Sequence, residues 1–94
     1  MYVAIVDVDL KKDRIDEFKK WFSESNKILS NVNGFISRRL LESEDGKHRI
    51  IVEHQSKDTF IKMHQSPEHQ KLHEVAHTFF ASPPQRNTYN LVAS

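Results

Sequence analysis

The side chains of this chain best suited to chemistry are its imidazoles. His69, His73 and His77 recur at four-residue spacing in PEHQKLHEVAHTFF, which sets them on one stripe of a helix. His54 stands apart, closing RIIVEH, where it shares strand parity with the apolar Ile50 and Val52. Imidazole changes charge near neutral pH and is a common metal ligand. His54 is therefore a candidate for moving a proton beside an apolar surface, and the stripe is a candidate for ligation or for bordering a cleft. The plainer readings are a strand-end histidine bonded to a loop carbonyl and a half-solvated helix flank.

With Leu72 at the centre of the helix's apolar face, His69, His73 and His77 lie roughly 60°, 100° and 140° round the wheel. His69 is nearest the core edge and His77 nearest water. His69 and His73 have the spacing to chelate a divalent ion with Glu68 or Glu74 close by. No second ligand cluster accompanies them and structural zinc takes four ligands, so no metal site is expected. Arg39 and Arg38 occupy opposite parities of one strand, and either can meet an anionic oxygen. The plainer reading pairs them with Glu42, Glu53 or acids of a second subunit. Tyr2, Tyr89 and Trp21 read as packing residues. Two glycines, Gly34 and Gly46, are too few for a phosphate-cradling loop or a nucleophile elbow.

The chain has 94 residues, enough for one domain spanning 1–94, with 14 basic and 13 acidic side chains interleaved. That balance gives no reason to expect binding to nucleic acid or an anionic membrane. Cysteine is absent, which excludes disulfides, thiolate metal sites and a thiol nucleophile. The N-terminus runs directly into YVAIVDV with no basic leader, and no apolar run approaches spanning length. A cytoplasmic protein is the expectation.

Several elements must position these residues. Tyr2 to Val8 is β-branched and apolar, a strand. Ile15, Phe18, Phe22 and Leu29 follow a helical period over about 13–29, with Asp13 as expected N-cap. Asn31 to Gly34 breaks that helix. Phe35 to Glu42 and Arg49 to His54 form a hairpin across Asp45-Gly46. Ser56 caps a short helix to His64, and Ser66-Pro67 starts another whose buried face is Leu72, Val75, Ala76, Phe79 and Phe80. Ser82-Pro83-Pro84 ends it, and Asn87 to Ala93 is a last strand.

The order β-α-β-β-α-β specifies an α+β, ferredoxin-like antiparallel sheet with its helices on one face. In YVAIVDV and RIIVEH apolar residues occupy both parities, whereas a sheet with one wet face alternates. A second copy of the chain is the simplest cover for the other face, so a homodimer is expected.

The chain resembles the antibiotic biosynthesis monooxygenase family, whose members dimerise through their sheets into an α+β barrel. The resemblance is carried by the first helix ending in Phe22, by Asn33-Gly34-Phe35, by the hairpin into Ile50-Ile51-Val52-Glu53-His54, by Ser56-Lys57-Asp58-Thr59-Phe60, and by Ser66-Pro67-Glu68-His69. Their order spans nearly the whole length. The family includes cofactor-independent oxygenases of quinols and polyketide aromatics, and haem-degrading monooxygenases.

The resemblance implies two alternatives. In the haem-degrading branch a last-helix histidine ligates iron, and a first-strand Asn and a short-helix Trp flank the porphyrin. Those positions fall on His73, Val6 and Met63, so one of the three is kept. In the oxygenase branch no cofactor is expected. A small aromatic or quinol-like substrate is deprotonated in a closed apolar pocket, with His54 as the proton-handling group, His73 catalytic or at the pocket edge, and Val6, Met63, His69 and Arg39 binding substrate. Where that family often carries Trp, this chain has His54, which replaces an aromatic wall with a titratable group. A third alternative is a non-catalytic ligand-holding or stress-responsive dimer.

Overall fold

The computed structural model describes residues 1–94. Strands β1 (Tyr2–Val8), β2 (Phe35–Glu42), β3 (His48–His54) and β4 (Gln85–Asn90) form one antiparallel sheet in the order β2-β3-β1-β4. Helices α1 (Ile15–Leu29), α2 (Lys57–Gln65) and α3 (Pro67–His77) complete the ferredoxin-like fold.

Local chemistry sets most of the boundaries. Ser56 forms a capping box with Thr59 at the start of α2, accepting from the Thr59 backbone N–H at 3.2 Å. Ser66 accepts from the His69 N–H at 3.2 Å, and Pro67 fills the first position of α3, where no donor is needed. The extended backbone of Ser66 is what separates the two helices.

Three boundaries differ from the sequence reading by more than one residue. Asp13 does not cap α1: a 3-10 turn over Lys12–Arg14 leads in, and Arg14 stands at the N-cap with no side-chain bond. The acids that meet the helix dipole are Asp16 and Glu17. Helix α3 ends at His77: the Thr78, Phe79 and Phe80 N–H groups close tighter turns onto Val75, Ala76 and His77, and the chain then pairs with the segment after β1. Lys11 N–H donates to the Phe79 carbonyl at 2.9 Å, Ala81 N–H donates to Asp9 at 2.7 Å, and Leu10 bridges Phe80. Strand β4 begins two residues early and ends at Asn90, opposite Tyr2, where β1 runs out.

Parity in β2 is broken by a bulge between Phe35 and Ser37. Phe35, opposite His54, faces the helices, and so do Arg38, opposite Val52, and Leu40, opposite Ile50. Arg39 is therefore turned to the other face, where its Nη2 meets Glu53 Oε1 at 2.9 Å.

The core between sheet and helices is divided. One cluster holds Tyr2, Ala4, Leu29, Val52, Phe60 and Met63; the other holds Val8, Leu10, Phe18, Phe22 and Phe79. The expected buried face of α3 does not fill the space between them. No residue of α3 is buried, Val75 is exposed, and Leu72 and Ala76 are half-buried.

Candidate active site

Where the two clusters part, a cavity of about 390 Å³ opens between sheet and helices. Val6 of β1 and Ile50 and Val52 of β3 lie along its sheet side, and Phe18, Trp21 and Phe22 project from α1. Met63 and His64 come from α2, and His69, Leu72, His73, Ala76 and His77 from α3. An apolar pocket with a few converging polar groups is the usual form of a small-molecule site.

The imidazoles form a row. Ring centroids run from Phe60 to His64 at 4.2 Å, to His69 at 4.1 Å, to His73 at 6.2 Å, to His77 at 4.2 Å and on to Phe80 at 5.3 Å. His64 Nδ1 stands 3.0 Å from the Phe60 carbonyl, so that nitrogen carries the proton and Nε2 keeps its lone pair. The Nε2 atoms of His73 and His77 stand 3.0 Å apart, within hydrogen-bond distance. The ring nitrogens of His69 bond to no protein group.

Their surroundings favour the neutral forms. Burial first, then the neighbouring His64, His73, Arg38 and Arg86, lower the His69 pKa from 6.5 to about 4. Burial also lowers His64, partly offset by its bond to Phe60, and lowers His73, with His77 adding to the effect. At neutral pH, His69 is an unprotonated base facing an apolar space.

His54 has a different environment from the one expected. It is fully buried, with Nδ1 3.0 Å from Thr59 Oγ1 and Nε2 3.2 Å from Met63 Sδ. Its ring also meets Phe35 and Phe60 edge-on. Met63 carries the cavity wall and His54 supports it from behind, without lining the cavity itself. Burial lowers its pKa, with His64 adding to the effect.

Of the residues read from sequence, Val6, Met63, His69 and His73 come together around the cavity, whereas His54 and Arg39 do not. Arg39 misses because the bulge turns it outward. Arg38 lines the cavity in its place. Sequence reasoning passed over His64, Arg86 and the wall position of Trp21. His64 lies beyond the Ser66-Pro67 break from the other imidazoles, so no helical spacing connects it to them. Arg86 is reachable only once the β1–β4 register, opposite Val6, is known.

Haem is a poor fit to these residues. Val6 and Met63, at the positions that flank porphyrin in the haem-degrading branch, line the cavity but give no hydrogen-bond donor. The Nε2 of His73 is engaged by His77. No group of three or more potential ligands gathers for a metal ion.

A family model described as antibiotic biosynthesis monooxygenase matches residues 1–75. No curated protein matches the chain. Among solved structures, a variant of SnoaB, a cofactor-independent oxygenase from Streptomyces nogalater, superposes with a TM-score of 0.86 at 13% identity, covering 99% of this chain and 94% of that one. Rv0793 from Mycobacterium tuberculosis gives a TM-score of 0.84 at 14% identity over 99% and 96% of the two chains. A conserved protein from Methanosarcina mazei Go1 gives 0.82 at 11% over 95% and 91%. At these identities the likeness establishes the fold. No helix is long and apolar enough to cross a membrane.

Proposed function

The chain belongs to the antibiotic biosynthesis monooxygenase family, and we propose that it is a cofactor-independent monooxygenase acting on a small aromatic or quinol-like molecule in this cavity. The observation that carries the reading is the unprotonated, unbonded His69 beside an apolar space. In an anthrone-type substrate, His69 takes the proton from the activated carbon. The resulting carbanion binds dioxygen, and loss of water leaves the quinone carbonyl. Apolar walls exclude bulk water from the carbanion, and His69 returns its proton to the peroxide formed with dioxygen before water leaves. His54, expected from sequence as the proton-handling group, acts at one remove in this reading by holding Met63.

A second copy of the chain is proposed to cover the free sheet face, where Leu41 is 46% and Tyr89 52% exposed beside the half-buried Val3, Ile5 and Ile51. The proposed setting is the cytoplasm, which cell fractionation checks directly.

Oxygen uptake with anthrone tests the activity. Turnover by the native chain that falls at least about a hundredfold in His69→Gln supports the reading, in line with the usual contribution of a general base. No uptake, or uptake indifferent to His69, rejects it. A haemin titration serves the alternative: a shifted Soret band lost in His73→Ala would make haem the ligand.

A further inference from the structure

The far end of the imidazole row differs in geometry from its start. His69, His73 and His77 keep one four-residue spacing along α3, yet only one neighbouring pair converges. The His69 and His73 rings stack with centres 6.2 Å apart and planes within 29° of parallel. The His73 and His77 rings are inclined at 54°, with centres 4.2 Å apart and Nε2 atoms 3.0 Å apart. The nitrogens are thus closer than the rings that carry them, and the two ring axes lean together toward their Nε2 ends. A head-on N–H···N bond of that length would set the ring centres about 5 Å apart. The two Nε2 atoms instead aim toward a common point beyond both rings. Their contact is the only hydrogen-bonding contact of either ring, so each Nδ1 is free to carry the proton of the neutral imidazole.

Two nitrogens so placed have the bite of a chelate. A metal ion bonded to imidazole at about 2.0–2.1 Å would subtend an angle of about 94° across them. That is close to the cis angle of square-planar and tetragonal ions, copper(II) above all, and below the tetrahedral angle of structural zinc. Both side chains are exposed, which leaves the remaining coordination positions to water. Glu74 lies close enough to His73 to favour a cation there, and Arg86 opposes it.

We infer that His73 and His77 form a copper(II)-binding site at the rim of the cavity, chelating the ion through both Nε2 atoms with water in the other positions. The site takes no part in the chemistry assigned to His69 and does not depend on it. Bound copper joins the last two turns of α3, a helix with no buried residue of its own, and so favours its folded form.

The test titrates copper(II) chloride into the native chain and follows it by electron paramagnetic resonance. One equivalent bound at micromolar concentration is expected, with superhyperfine splitting from two nitrogens. Affinity should fall at least about tenfold in His73→Gln and in His77→Gln, as a chelate becomes a single imidazole. It should be kept in His69→Gln, which retains the converging pair and loses the stacked one. Splitting from one nitrogen or none in the native chain, a result that needs no variant, overturns the inference. An equal loss in His69→Gln overturns it too, because the ion would then sit elsewhere on the stripe. Affinity unchanged in either His73→Gln or His77→Gln means an adventitious ion only and rejects the site.

Discussion

Asn26 holds Arg38 at two points: its Nδ2 donates to the Arg38 carbonyl at 2.8 Å, and its Oδ1 accepts from Arg38 Nε at 2.7 Å. One amide thus fixes backbone and side chain of the same residue, and ties α1 to β2 beside the cavity. Asn26→Ala removes both bonds and is expected to cost about 1–3 kcal/mol in denaturant unfolding. Asn26→Asp restores an acceptor for Nε and should be less destabilised than the alanine variant. Equal losses in the two would show that the Nε bond contributes nothing.

The lowered His69 pKa makes stability depend on pH. Its folded value of about 4 lies below the ordinary 6.5, so the unfolded chain binds more protons between these values. Stability is full above pH 6.5 and falls as the pH drops toward 4. His69 retains some solvent contact, so its share is on the order of 1–2 kcal/mol after screening. His54, His64 and His73 shift the same way. Melting temperature should decline over this window, and His69→Gln should flatten the decline. A flat native profile would contradict the assigned environment.

Gly34 and Gly46 have nearly the same backbone, with φ of +83° and +84°, but different surroundings. A Cβ on Gly34 would collide with the Thr59 side chain, whereas one on Gly46 meets nothing within 4 Å. Gly46→Ala should cost only the left-handed penalty, about 1–2 kcal/mol. Gly34→Ala adds displacement of Thr59, which contacts His54, and should cost about 1–3 kcal/mol more. Chemical denaturation of the two variants side by side decides the matter.

The free sheet face gives a further expectation. Ile5 lies near its middle, opposite Ile51 on one side and Asn87 on the other. The native chain should sediment at about twice its 11.1 kDa mass, and Ile5→Glu, by burying a charge in the interface, should return it to 11.1 kDa. A native monomer at micromolar concentration would end the dimer proposal.

Much of the architecture was legible because it rests on local signals. Asp45-Gly46 placed the hairpin, and Ser56 and Ser66-Pro67 placed both helix starts, since each satisfies a nearby backbone demand. The β2 bulge left no comparable signal, and one unpaired residue was enough to exchange the faces of Arg38 and Arg39. The role of His54 was hidden for a different reason. Its parity was read correctly, but only the fold brings Met63 and Thr59 against its ring. The site at large depends on where α3 rests, and the period of its apolar residues resembles that of a helix which buries them.

The unfilled space beneath α3 has an energetic consequence for that helix. With no buried residue of its own, α3 gains little from the folded core, so its backbone amides should open at a lower free energy than those of β1 and β3. An occupant of the cavity would supply the missing contacts. The protection of residues 70–77 against hydrogen exchange would then rise with ligand concentration while the sheet amides changed less, making this segment the part of the molecule whose order records occupancy.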